Sequence, residues 1–285
     1  TEEQFIYAGD EHYAEITPKP VHKPNTEELT NFALRLQKDL YAGDSRIVDG
    51  TQTQVAYESR EVAIDNSYGL SLHQERALNM ALAMPVLQAD ESYDAYQIEL
   101  GNLDEIDTVK LAAKAIEKAS AQVGAEGGPT GTMPVILAPD AVHSLLSVFS
   151  AVFSAENTQK GLSLLAGKEG QKIAADCVTL MDDPLYKDGY GQTAFDDEGC
   201  ATSPKAVIEN GVLKTILHNL KTAHVAGVKT TANASKAGYA APVGISPYTF
   251  YFCPGEKDQE ALMAQMGEGL LISSMTGMHA GASAV

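Results

Sequence analysis

Residues 124–132, GAEGGPTGT, place four glycines and a proline in nine positions between a helix-patterned segment and a strand-patterned one. Glycine is costly to order inside either element, so no continuous helix or strand crosses this stretch and the chain has to fold in parts. The expected boundaries are an extended arm over 1–24, an α+β middle domain over 25–126, and a β-rich domain over 127–285 that is incomplete at its C-terminus. A chain of 285 residues, 44% of them hydrophobic, supplies enough apolar surface for two cores.

Pro18, Pro20 and Pro24 make the arm extended, because proline removes a backbone donor and biases its predecessor away from helix. Asn25 with Glu28 forms a capping-box pattern, and Leu29, Phe32, Ala33, Leu36 and Leu40 recur at helical spacing behind it. A β-hairpin is expected over 51–70, with strands around Val55 and Tyr57 and around Val62 and Ile64, a turn near Glu58–Arg60, and a close at Asn66–Gly69. In RALNMALAMPVLQ the Ala, Leu and Met residues favour helix, while Pro85 and the preceding strands favour sheet; the strand reading is adopted. A second helix is expected from near Asp104 to Gly124, with Ile106, Val109, Ala113, Ile116 and Val123 on its packed face.

Past the glycines, MPVILA reads as a buried strand. Pro139 and Asp140 then open a helix whose apolar stripe is Val142, Leu145, Leu146, Phe149, Val152 and Phe153. Short runs follow, CVTLM, KAVIENGVLKTIL and YTFYF, with Asn210–Gly211 as a hairpin turn, and KDQEALMAQMGEGL is the last helix candidate.

A formal charge of −18, from 20 basic against 38 acidic residues, leaves no basic patch for phosphates, so nucleic-acid binding is not expected. No apolar run is long enough to span or anchor in a membrane. Cys177, Cys200 and Cys253 fit neither a disulfide framework nor a zinc clamp; each is expected to be a small buried residue in a reducing, cytoplasmic setting. The acidic stretch 182–198, DDPLYKDGYGQTAFDDE, lacks EF-hand spacing. No histidine lies in HExxH, no serine lies in GxSxG, and the glycines match neither a Walker loop nor GxGxxG. Asp196, Asp197 and Glu198 therefore read as a turn at the rim of the second domain, entering the strand before KAVIENGVLK. With His218 and His224 they are candidate cleft-lining residues; no catalytic residue and no metal ligand is assigned.

SREVAIDNSYGL, GGPTGTMPVILAPDAVHSLL, QKGLSLLAGKEGQKIAADCVTLMDDP, FDDEGCATSPKAVIENGVLKTILHNLKTAHVAG and GEGLLISSMTG occur in an order that resembles the TldD/PmbA family, the "modulator of DNA gyrase" proteins. The resemblance covers roughly residues 20 to 283, and DDEG…ENGVLK is its most specific block. It implies an α+β architecture, a middle domain of helices packed on a β-sheet followed by a largely antiparallel β C-terminal domain. It also implies a cytosolic metalloprotease built from TldD-type and PmbA/TldE-type subunits that cleaves peptides or unfolded proteins.

In TldD-type subunits the helix after the PVIL strand carries HExxxH, which supplies two zinc ligands and a general base. The corresponding ligand positions here are Leu146 or Ser147 and Val152 or Phe153, and the base position is Ser147 or Val148. His143 precedes this window, and Cys253 does not match the family's further cysteine ligand. The resemblance thus points to the PmbA/TldE type: no cofactor in this chain, zinc on a TldD-type partner, and a homo- or heterodimer without activity alone. The alternatives are an active metallopeptidase with an unrecognised site, built from the 182–198 acids with His218 or His224, and a stand-alone peptide-binding protein. The family pattern further leads one to expect that this is a fragment, with about a hundred residues before Thr1 and a terminal β segment after the region of Thr276.

Overall fold

The computed structural model describes residues 7–275 and 277–278. The chain forms two compact units, a helical unit of Pro18–Glu61 with Glu75–Thr130 and a β-rich unit of Thr1–Thr17, Val62–Gln74 and Gly131–Val285. Residues 1–6, Thr276 and 279–285 lie outside the described residues, and with them the start of the arm and the point where a terminal β segment is expected.

In the helical unit α1 (Thr26–Gly43) starts as its capping box dictates: Glu28 N donates to Asn25 Oδ1 at 3.0 Å, and Asn25 N donates to Glu28 Oε2 at 2.7 Å. Phe32, Leu36 and Leu40 are buried, as the spacing predicts. β1 (Gln52–Asp65) and β2 (Ser71–Met84) are single long strands, so the expected turn near Glu58–Arg60 does not exist. Those residues carry no glycine, proline or asparagine and stay extended as a solvated stretch of β1. The one turn of the hairpin is at 66–70, where Asn66 Oδ1 accepts from Tyr68 N and Leu70 N and Gly69 takes φ +94.

β3 (Val86–Gln88) pairs antiparallel with β4 (Ser92–Asp94), and β5 (Gln97–Leu100) joins β1 and β2 in the order β1-β2-β5. The strand reading of RALNMALAMPVLQ holds. α2 (Thr108–Ser120) is capped by Asp107 rather than opened at Asp104, since the Asp107 carboxylate accepts from Val109 N and Lys110 N. Its packed face is also different. Leu111, Ala112, Ala115 and Ala119 are buried, whereas Val109 and Ala113 face solvent. The core closes α1 and α2 over Ile47, Ala81, Ala83 and Leu87, and Gly43 leaves room for Ile116, whose Cδ1 a Cβ there would approach to 2.5 Å.

In the β-rich unit β6 (Val135–Leu137) is not buried: Val135 is exposed, and among the described residues the strand pairs, in parallel, with one other strand. α3 (Pro139–Phe149) is shorter than expected and passes into a 3-10 turn at Ser150–Phe153 before α4 (Ala155–Gln159). The tighter turn shifts the side-chain phase, so Phe149 is exposed while Phe153 reaches the core.

β7 (Leu180–Asp183), β8 (Lys205–Glu209) and β9 (Val212–Leu213) follow. α5 (Leu220–Ala226), β10 (Ala234–Ser235), β11 (Gly244–Ile245) and β12 (Thr249–Phe252) come next, then α6 (Gln259–Met266) and β13 (Leu270–Ile272), the parallel partner of β6. A four-stranded antiparallel sheet runs β12-β7-β8-β9. The β8–β9 turn uses Asn210 at φ +48 and Gly211 at φ +78, the hairpin that the ENG motif predicts. Phe153 packs edge-on against Phe250 at 5.6 Å over a core of Leu180, Val207, Ile208, Leu213 and Leu217. Cys200 is buried, but Cys177 and Cys253 are exposed, contrary to expectation. Among the described residues no helix is long and apolar enough to cross a membrane.

Candidate functional site

The FDDEG segment is a turn. Phe195 and Ala201 face each other across a β-bridge, Gly199 N closes onto Asp196 O, and Gly199 takes φ +85. Asp196 is buried, and its Oδ1 accepts from Glu198 N at 3.0 Å and Cys200 N at 2.9 Å while Oδ2 accepts from Ala234 N at 3.0 Å. Asp197 Oδ2 accepts from Lys236 N at 2.6 Å, and Glu198 Oε2 from Leu220 N, in the first turn of α5, at 2.7 Å. The three adjacent acids thus hold three different pieces of backbone: their own turn with β10, the residue after β10, and the start of α5.

Burial pushes the Asp196 carboxyl above its usual range in spite of these hydrogen bonds. Burial likewise raises Glu198, and it raises the Cys200 thiol with help from Asp196 and Glu198. Such a thiol stays protonated and unreactive.

His218 and His224 separate. His218 is buried two residues before α5, with Nδ1 3.2 Å from Thr222 Oγ1, its N–H donating to Thr231 Oγ1 and its carbonyl accepting from Asn233 N. Burial holds its pKa below the ordinary histidine value. His224 is exposed in the last turn of α5.

A second polar cluster escapes the sequence reading. Asp182 on β7 is fully buried; its Oδ1 accepts from Tyr248 N at 2.6 Å, and its Oδ2 from Asn233 Nδ2 at 2.7 Å and Lys205 Nζ at 3.3 Å. The Lys205 ammonium lies 5.8 Å from the centre of the Tyr248 ring, and burial lowers its pKa against the pull of Asp182. Tyr248 Oη donates to the carbonyl of Ala232, a buried non-glycine residue at φ +54. The burial pattern of β7 alternates, so Asp182 shares the inward face of Leu180. That period of two was the available signal, hidden because MDDP reads as a turn.

α3 is where the resemblance locates a zinc-binding helix. Leu145, Leu146 and Val148 offer carbon there, and the Ser144 and Ser147 hydroxyls donate to the carbonyls of Asp140 and Ser144 at 2.9 and 2.8 Å. Among the described residues no group of three or more His, Cys, Asp or Glu side chains is placed to hold a metal ion. The donor set does not fit zinc.

Residues 130–285 match the family model of the PmbA/TldA metallopeptidase C-terminal domain, and residues 19–123 match that of the central domain. An uncharacterised protein of Methanocaldococcus jannaschii is 28% identical over 256 residues, covering 89% of this chain and 58% of its own length. A metalloprotease PmbA homolog of Haemophilus influenzae is 23% identical over 258 residues, covering 89% and 55%. Among solved structures, one described as a modulator of a DNA gyrase from Thermotoga maritima is 32% identical with a TM-score of 0.90, over 99% of this chain and 65% of that one. TldE from Thermococcus kodakarensis, at 24% identity, shares the fold, with a TM-score of 0.85 over 97% and 64%. The chain therefore spans only 55 to 65% of the length of these relatives.

Proposed function

This chain belongs to the PmbA/TldD metallopeptidase family, and we propose that it acts there as a PmbA/TldE-type subunit. It holds no zinc of its own and partners a cytoplasmic TldD-type, zinc-bearing subunit in proteolysis and peptide maturation, as a homo- or heterodimer. The observation that carries this reading is the stretch of α3 and the 3-10 turn after it, where the expected ligand and base positions, Leu146 to Val148 and Val152 or Phe153, hold no imidazole or carboxylate to bind Zn²⁺. In this role the subunit supplies walls to a cleft around an extended peptide. Asp196, Asp197, Glu198, His218 and His224 are the candidates for lining that cleft.

The test is a peptidase assay of this chain alone and mixed with a TldD-type subunit, with and without chelator, beside metal analysis. The expected result is no stoichiometric zinc and no hydrolysis by the chain alone, with chelator-sensitive hydrolysis in the mixture. One tightly bound zinc per chain, with activity unaided, would overturn the reading in favour of an active metallopeptidase.

A further inference from the structure

The hairpin around the FDDEG turn has an outer edge, and a piece of the same chain occupies it. Asp196 N donates to Cys200 O and Thr202 N to Ala194 O, so these bonds bracket the Phe195–Ala201 bridge on the inner side. Ala201 is a non-hydrogen-bonded member of that bridge, which turns its N–H away from the hairpin partner; Gly199, the left-handed turn residue whose N–H closes inward on Asp196 O, presents its C=O to the arm, where Tyr13 Oη reaches it. A third strand would meet them there with a carbonyl and an amide two residues apart. Instead Asp10 Oδ2 accepts from Ala201 N at 2.7 Å, and Tyr13 Oη donates to Gly199 O at 2.8 Å.

The two side chains are coupled, since Asp10 N donates to the same Tyr13 Oη at 3.0 Å. One residue group further back, Asn66 Nδ2 donates to Tyr7 O at 2.6 Å, and Leu70 covers Gly199 so closely that a Cβ there would lie 2.6 Å from Leu70 Cδ2. The arm over residues 7–17 forms no helix or strand, and Asp10, Glu11 and His12 are exposed. Side chains thus satisfy backbone groups that the main chain of a third strand would otherwise take, and they come from an irregular segment that is further tied by Asn66 at Tyr7 O and by Leu70 against Gly9.

We propose that Tyr7–Tyr13 is a removable strap, standing where the backbone of an extended peptide docks antiparallel on the Gly199–Ala201 edge. The proposal rests on the peptide-handling role given above and adds to it a location and an internal competitor. An intramolecular strap lowers peptide affinity by the fraction of molecules in which it is seated. Lifting it leaves the Asp196 clamp intact, because among the described residues the Asp196 carboxylate accepts from residues of the turn and from Ala234.

The test uses the whole chain and a fluorescein-labelled decapeptide of alternating serine and valine, read by anisotropy. The double variant Asp10→Ala/Tyr13→Phe is expected to bind the peptide about tenfold more tightly than the parent. In the unmodified chain, saturating peptide should speed hydrogen exchange over residues 8–13 while the Ala201 amide stays protected, a readout independent of how well the variant folds. Equal peptide affinity of parent and variant, with no change in exchange over 8–13, would overturn the strap and leave the peptide-handling role standing. Absence of binding to both proteins would overturn the two together.

Discussion

The helical unit closes over Phe32, Leu36, Leu40, Leu87 and Leu111, whereas the β-rich unit buries Asp182, Asp196, His218 and Asn233 at the same depth as Leu180, Val207 and Leu213. The first arrangement is non-directional: helix stripes meet a sheet face, and the driving term scales with the carbon area removed from water. Its buried polar exceptions among the described residues are Thr108, whose hydroxyl donates to Asp39 at 2.6 Å, and Asn79, whose Oδ1 has no partner among the described residues. In the β-rich unit Asp182, Asp196, His218 and Asn233 each take partners from separate segments of the chain, because an unpaired buried polar group costs more than it contributes. Short strands and small helices bury too little carbon to hold long loops, and carboxylates take over that work.

The sharpest way to break the contrast is Asp182→Ala. It strands the Lys205 ammonium, leaves Tyr248 N unpaired and leaves Asn233 Nδ2 with the Ser246 carbonyl as its remaining acceptor, so a loss of about 4 kcal/mol is expected. The measurement is urea unfolding followed by hydrogen exchange, read separately in each unit; a loss under about 1 kcal/mol would mean that carbon, not the network, carries the β-rich unit. Leu36→Ala in the helical unit should cost about 3 kcal/mol by the same measurement, through lost transfer energy and a cavity, with exchange rising in residues 26–43 first.

Acid separates the units with opposite signs. Burial raises Asp196 in the fold, so its contribution is full below the ordinary carboxylate range near pH 4 and is lost as pH rises through the raised value. Asp44, paired with Arg46 at 2.6 Å and held at about 2, contributes above that range and loses its contribution as pH falls through about 2. Relative to the parent, Asp196→Asn should improve as pH rises from 4.5 to 7.5, and Asp44→Asn should worsen as pH rises from 2 to 5. Each change should be about 1 kcal/mol after solvent screening of the Asp44 pair. His218, kept below its ordinary value by burial, works against Asp196 in the parent by losing stability as pH falls, which is why the isosteric variants are compared rather than the bare pH profile. Slopes of equal sign would remove the contrast. The smallest effect is expected at Lys114→Ala, which breaks an exposed pair with Glu99 at 2.8 Å for about 0.3 kcal/mol, within the scatter of a melting curve.

Legibility followed the same divide. α1 could be read from the chain because its cap and its stripe are local, the residues that decide it lying within one or two turns. α2 was legible as a helix but not in phase: Ile106 precedes the Asp107 cap, and counting from it selects Val109 and Ala113 in place of Leu111 and Ala115. Glu58–Arg60 looked like a turn by polarity alone, although the turn chemistry sits at Asn66 and Gly69. The FDDEG acids were legible as a turn. Their partners were not, because Leu220, Ala234 and Lys236 lie 22 to 39 residues downstream and nothing in their identity marks a backbone amide as a ligand.

By itself the sequence determined the α+β class, the capped helix at Asn25, the Asn210–Gly211 hairpin and the family, since each rests on residue types at short spacing or on the order of blocks along the chain. Only the tertiary structure decided that Asp182, Lys205, Asn233 and Tyr248 meet, that the three FDDEG carboxylates bind backbone from three elements, and that Asp10 and Tyr13 sit on the edge of that turn. The physical reason is range. Local propensity acts over a few residues, whereas a buried charge is settled only when the folded chain brings donors to it from far along the sequence.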